Sequence, residues 1–180
     1  FYPTNFQSNF ILHINNKKIG ITSLNTSWRC YDSKTDKGKI LMCARQIEDS
    51  VELLKECDIK IALSHHSYTW MNDFEALQLE KFITCNYDMY FSGHTHSSNA
   101  EYCIKPEGRT FKMVAPGIMS ANVFEKAKNF RNGFSLIDYD IDKGYVETIL
   151  FYQNDLSAFV VDKNHGFNGI WHIDIPLGKE

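Results

Sequence analysis

The sequence predicts an α/β fold followed by an antiparallel β part. Three observations carry this. The middle of the chain alternates a helical apolar stripe, a short apolar run, a second helical stretch and a second apolar run, the order that builds parallel strands with helices packed on the sheet. The last third holds β-prone runs separated by turn residues, without helical periodicity. Two of the middle runs end in histidines, as expected where chemistry sits beyond the carboxyl ends of parallel strands.

The elements follow in order. Asn9–Ile14 and Lys18–Leu24 flank Asn15-Asn16-Lys17 and read as a hairpin. Asn25 to Lys39 is polar and reads as a long surface loop. Ile40 to Cys57 reads as a helix, because Leu41, Ala44, Ile47, Val51 and Leu54 recur at spacings of three and four. Ile59–Ser64 is a buried strand. Asp73 to Thr84 is a second helix, capped by Asn72 or Asp73, with Phe74, Leu77 and Phe82 as its apolar side. Tyr87–Ser92 is the next strand. Phe111–Ala115, Gly133–Asp140 and Tyr145–Tyr152 are strand-like, with Asp142-Lys143-Gly144 as the turn between the last two, and Gly169–Ile175 reads as one more strand. There is no internal repeat, so one domain is the simplest organisation.

Composition narrows the function. An apolar share of 43% and an aromatic share of 14% suffice for a sizeable core in 180 residues. A net charge of −3 offers no basic footprint for nucleic acid. No apolar run reaches the roughly 20 residues of a membrane helix, so no membrane partner is expected. Five widely spaced cysteines, Cys30, Cys43, Cys57, Cys85 and Cys103, contain no Cys-x-x-Cys pair. They read as reduced, mostly buried thiols of a cytoplasmic protein. The chain opens at Phe1, not methionine, almost directly into a strand-like run, and reads as cut from something longer.

Seven histidines are the candidate ligands. His13 alternates within a strand and reads as ordinary. His165 sits in the turn Asn164-His165-Gly166 and reads as solvated. His172, beside Trp171 in a strand, reads as a hydrogen-bonded structural histidine. The other four differ. Gly93-His94-Thr95-His96 follows a strand, and residues i and i+2 of an extended turn point the same way. His94 and His96 are therefore expected to face one cavity, with Thr95 turned away and Gly93 supplying the sharp bend. By the same parity, only one of His65 and His66 is expected to be a metal ligand. Neutral imidazole is the commonest protein ligand for Zn, Fe, Ni and related ions. The carboxylates nearest in sequence, Asp73 and Asp88, read as helix capping and surface.

These residues carry a resemblance. Leu63-Ser64-His65-His66-Ser67, a helix, and then Tyr87 to His96 are similar to the second half of a calcineurin-like metallophosphoesterase, with Leu24-Asn25-Thr26-Ser27-Trp28 after an earlier strand and later strands at Met113–Gly117 and Asn132–Asp138. That family orders its motifs as Asp-x-His, Gly-Asp-x-x-Asp, Gly-Asn-His, a His-His motif and Gly-His-x-His. Only the last two occur here, and Ser67 stands where proline is common. The resemblance implies a two-sheet sandwich flanked by helices, with residues 1–180 as the C-terminal portion of a single domain. It implies His65, His94 and His96 as metal ligands, and His66 either behind those ligands, supporting them, or facing substrate. It implies two divalent ions (Mn, Fe, Zn or Ni), incompletely bound by this chain alone, and hydrolysis of a phosphomonoester or phosphodiester of a small molecule or nucleotide. The alternative is a non-catalytic binding or regulatory module with the same fold, accompanied by further domains of a longer polypeptide. A third reading, a mononuclear structural zinc site, needs a fourth ligand that the sequence does not reveal. Trp28, Arg29 and Tyr31 read as pocket wall, Tyr68 and Trp70 as either a stacking platform or packing, and the basic stretch 122–131 as a solvated face.

Overall fold

The computed structural model describes residues 2–3, 6–32, 34–95, 99–117, 132–140 and 142–175. They form two compact units, Phe1–Val114 and Ala115–Glu180. Each unit has its own sheet, and both α-helices among the described residues belong to the first, which makes this a mixed α/β chain.

The first unit opens with β1 (Tyr2–Pro3), β2 (Gln7–Ile14) and β3 (Lys17–Leu24). Asn15 and Asn16 both adopt left-handed φ, 48° and 62°. Asparagine tolerates that region, and two such residues make the hairpin turn whose twist matches the strands. After a long loop come α1 (Arg45–Leu53), β4 (Ile59–Ser64), a 3-10 turn at Tyr68–Trp70, α2 (Asp73–Asn86), β5 (Met89–Ser92), β6 (Asn99–Lys105) and β7 (Gly108–Val114). The sheet order is β1-β2-β3-β4-β5-β7-β6. β3, β4, β5 and β7 run parallel, with α1 and α2 as the first two crossovers. Leu24, Ile40, Met42, Ile47, Ala62, Met71, Leu79, Ile83, Tyr87 and Tyr90 form the buried cluster.

Three expectations are corrected here. The first helix begins at Arg45, not Ile40. Ile40 bridges to Met71, and the Glu75 carboxylate accepts the backbone N–H groups of Met42 (2.9 Å) and Cys43 (2.7 Å), while Cys43 takes a left-handed φ of 70°. These contacts hold residues 40–43 out of the helix despite their periodicity. The second helix caps on Asn72 as expected, its Oδ1 accepting from Phe74 N at 3.3 Å. However, Phe74 and Leu77 are about three-quarters exposed, and the core face is Glu75, Leu79 and Ile83. Of the expected apolar side, Phe82 alone is partly buried against the core, and a buried acid at 75 takes the place expected for Phe74. The third correction concerns the five cysteines. All are free, yet only Cys57 is buried; Cys30 and Cys43 are exposed.

The second unit is antiparallel. β8 (Gly133–Asp140) and β9 (Tyr145–Gln153) pair along their lengths. In their turn Gly144 has φ 72° and donates to Asp140 O at 2.8 Å. β10 (Phe159–Val161) and β11 (Ile170–Asp174) share the other edge of β9. Phe134 and Phe151, directly opposite in register, stack at 4.8 Å, with Phe159 edge-on at 5.1 Å. Such cross-strand aromatic pairs are the unit of sheet stabilisation. β6 and β10, which the sequence did not single out, are short or carry polar residues at alternate positions. The basic stretch 122–131 lies outside the described residues. No described helix is long and apolar enough to cross a membrane.

Candidate metal centre

Three neighbouring parallel strands, β3, β4 and β5, end on the same side of the sheet. Ser64 finishes β4 and is followed by His65 and His66; Ser92 finishes β5 and is followed by Gly93 and His94. Gly93 N donates to His65 O at 3.0 Å and ties the two strand ends together. Ser64 Oγ donates to His66 O at 2.8 Å and shares a 2.7 Å hydrogen bond with Tyr90 Oη. The bend itself is made by His94, whose φ is 67°. The expected pivot at Gly93 is thus shifted one residue on, to a residue type that visits this region several-fold more often than most.

The result is a cluster of three imidazoles. His65 Nε2 and His94 Nδ1 are 3.0 Å apart. The ring centroids of His66 lie 4.6 Å from those of His65 and 4.3 Å from those of His94. One nitrogen from each of the three lies within 4.8 Å of the others. Parity along a strand admits one of His65 and His66, but the chain leaves the extended path after Ser64, and both rings reach His94. His96, the expected partner of His94, lies outside the described residues. Thr95 is exposed, as expected.

The donor set fits a cation. Zn–N bonds of 2.0–2.1 Å at tetrahedral angles separate two nitrogens by about 3.3 Å. The His65–His94 pair is already near that spacing. The other nitrogen separations, within 4.8 Å, exceed that spacing by no more than about 1.5 Å. His66 is buried and its pKa is lowered to about 4, first by desolvation and then by His94 and His65. The ring is therefore neutral, the form that binds metal. Thr26 Oγ1 lies 3.1 Å from His66 Nδ1 and accepts from His66 N at 3.0 Å, fixing the ring. Metal-ligating histidines commonly have their second nitrogen held this way.

Trp70 packs edge-on to His94 at 4.3 Å and walls the cluster from one side. Tyr68 instead accepts from Lys112 Nζ at 3.1 Å and serves packing. A cleft of about 450 Å³ adjoins His65, lined with Ser8, Ser23, Ser27 and Ser64 among others. Trp28 packs on Phe6 at 5.8 Å, Arg29 lies over Trp28, and Tyr31 is exposed.

The remaining polar candidates serve structure. Asp88 Oδ2 accepts from Lys60 N at 2.8 Å, Asp73 opens α2, and Asp36 accepts the N–H groups of Tyr31 and Asp32. His172 sits between Glu147 (2.9 Å) and Asp174 (3.2 Å), so it is hydrogen-bonded as expected, but on an exposed face. His165 is not solvated as the sequence suggested. It is half-buried, with Nε2 2.7 Å from Thr148 Oγ1, and desolvation lowers its pKa. Thr26 and Cys30 stand at the cluster without having been singled out as site residues. Their position just past β3 is the signal that marks them.

No family model matches the chain, and no curated protein does. Among solved structures, Vps29 from Chaetomium thermophilum aligns with a TM-score of 0.38 and 9% identity, over 93% of this chain and 61% of that one. The chain thus spans about three fifths of the length of that protein. A likeness this loose carries no argument for family or function.

Proposed function

We propose that His65, His66 and His94 hold a divalent metal ion, and that the chain contributes this centre to hydrolysis of a phosphoester. The observation that carries the proposal is the 3.0 Å approach of His65 Nε2 to His94 Nδ1, with His66 completing the group. Imidazole donors suit Zn, Ni or Fe better than Mg or Ca, and Mn is the hardest ion in the expected range. When bound, such an ion polarises a phosphoryl oxygen and lowers the pKa of a bound water. The chain's own residues do the rest. Thr26 orients His66, the Gly93–His65 hydrogen bond sets the spacing of the two loops, Trp70 excludes water on one side, and the hydroxyl-lined cleft receives the ester, a small molecule or nucleotide. The phosphoester class itself rests on the His-His and Gly-His-x-His resemblance, which also makes His96 a ligand.

A dinuclear centre does not follow from the described residues. The cluster there contains histidines and no carboxylate, which fits one ion. That observation favours the second reading, a non-catalytic phosphoesterase-like module. Elemental analysis with and without His94→Ala tests the site: bound metal in the parent chain and its loss in the variant are expected, and unchanged content places the site elsewhere. Turnover tests the one-ion count. With Mn²⁺ or Zn²⁺ added, this chain is expected to hydrolyse an aryl phosphate diester poorly; brisk turnover contradicts the one-ion count and supports the enzyme. The free cysteines suit a reducing compartment, and a cytoplasmic location is part of the proposal.

A further inference from the structure

Resting on the metal-centre reading above, we propose that a recess walled by Phe6 and Trp28 is a base-binding subsite of the same centre, so that the phosphoester it takes is a nucleotide. The phosphate would meet the ion, the sugar would lie in the hydroxyl-lined cleft, and the base would enter the recess.

The two cavities adjoin. The cleft beside His65 runs across three strand ends, from Ser64 of β4 over Ser23 of β3 to Ser8 and Gln7 of β2. Neighbouring strands lie about 4.8 Å apart, so the cleft spans roughly 10 Å. One sugar with its phosphate bridges such a gap. At the far end, Phe6 and Gln7 also line a second cavity of about 260 Å³, together with Trp28, Arg45, Gln46 and Asp49.

The second cavity has the walls of a ring site. Phe6 and Trp28 are both half-exposed and meet edge to face, with centroids 5.8 Å apart and planes at 67°. A flat ring that stacks on one meets the other edge-on, and both arrangements are ones that aromatic groups prefer. The buried glutamines are already engaged. Gln46 Oε1 accepts from Asn25 N at 2.8 Å, its Nε2 donates to Asn25 O at 2.9 Å, and Gln7 Nε2 donates to Ser50 Oγ at 2.9 Å. The recess therefore suits an apolar ring face. Its rim is polar. Arg45 Nε pairs with Asp49 Oδ1 at 2.8 Å, and both side chains are exposed, so further guanidinium N–H groups and carboxylate lone pairs face the edge of a guest. Donors and acceptors side by side suit a nucleobase better than a plain aryl group. Ser8 and Ser23, opposite each other in register, and Ser27 offer hydroxyls to the sugar. A net charge of −3 favours a free nucleotide over a nucleic-acid strand. The subsite serves an enzyme and a binding module alike.

Calorimetric titration tests this. Adenosine monophosphate, ribose phosphate and phenyl phosphate are titrated, with Zn²⁺ present and absent, into the parent chain, Trp28→Ala and His94→Ala, with circular dichroism to verify folding. In the parent with Zn²⁺, adenosine monophosphate is expected to bind at least roughly tenfold more tightly than either other ligand, in line with one stacked base. Trp28→Ala is expected to erase its advantage over ribose phosphate. Equal affinity for adenosine monophosphate and ribose phosphate in the parent, or an advantage that persists in Trp28→Ala, overturns the subsite. Phenyl phosphate binding as tightly as adenosine monophosphate overturns the nucleotide. The metal reading fails separately. Omitting Zn²⁺ and His94→Ala are each expected to weaken all three ligands, and affinities indifferent to both overturn the ion while the adenine advantage still decides the recess. The three affinities of the parent decide against the proposal even where Trp28→Ala fails to fold.

Discussion

His66 shows how burial prepares a ligand. Its ring is 4% exposed, and placing a charge there is costly, so its pKa falls to about 4. In the unfolded chain an imidazole titrates near 6.5. Between those values the unfolded state binds the extra proton, so the stability from neutral His66 is complete above about 6.5 and is lost as pH falls toward 4. The assigned His66 ring-proton signal is expected to titrate with a midpoint near 4 in metal-free protein, and a midpoint near 6.5 contradicts the burial argument. His172 runs the opposite way. Glu147 and then Asp174 raise its pKa, so its contribution is complete below about 6.5 and is lost as pH rises through the raised value. The difference in melting temperature between parent and His172→Gln is expected to be positive at about pH 5.5 and to vanish well above the raised value.

At the scale of elements, one buried carboxylate decides where α1 starts and which face α2 buries. Glu75 is 6% exposed and receives two backbone amides of the segment before α1. Removing it strands the buried amide of Met42 and the part-buried amide of Cys43. Glu75→Ala is expected to destabilise the first unit by about 2–4 kcal/mol, read as a lowered urea midpoint with unchanged slope. Glu75→Gln, which replaces one acceptor oxygen with a donor, is expected to recover about half of that. Gly108 is similarly constrained at the start of β7. A Cβ there would stand 2.6 Å from Thr84 O and 2.8 Å from Cys85 Cα, so the β6–β7 turn, where it meets the end of α2, admits glycine alone without backbone movement.

For the whole molecule, the proposed metal centre would couple strand ends that are far apart in sequence. Thr26, His65, His66 and His94 come from three loops, and an ion held by the histidines cross-links two of them. A ligand that binds only the folded form stabilises it by about 2.7 kcal/mol at a hundredfold excess over Kd. Zn²⁺ is therefore expected to raise the melting temperature of the parent chain, a chelator to reverse the rise, and His94→Ala to show neither effect. Two compact units need not unfold together, so the rise belongs to the transition of Phe1–Val114.

Much of this was legible in local pattern. The Asn15–Asn16 hairpin, the strands Ile59–Ser64 and Gly133–Asp140, the Asn72 cap and the strand-end histidines follow from turn chemistry, β-propensity and capping, which act within a few residues. The sequence by itself therefore determined the mixed α/β class and brought His65, His66 and His94 to one edge of a sheet. Only the tertiary structure decided that His66 joins the cluster, that Glu75 takes a core position, and that Thr26 and Cys30 stand beside the imidazoles. The reason is physical. Which side chains converge depends on how separate strand ends and loops pack, and contacts between residues 36 and 40 positions apart leave no periodic trace in the chain.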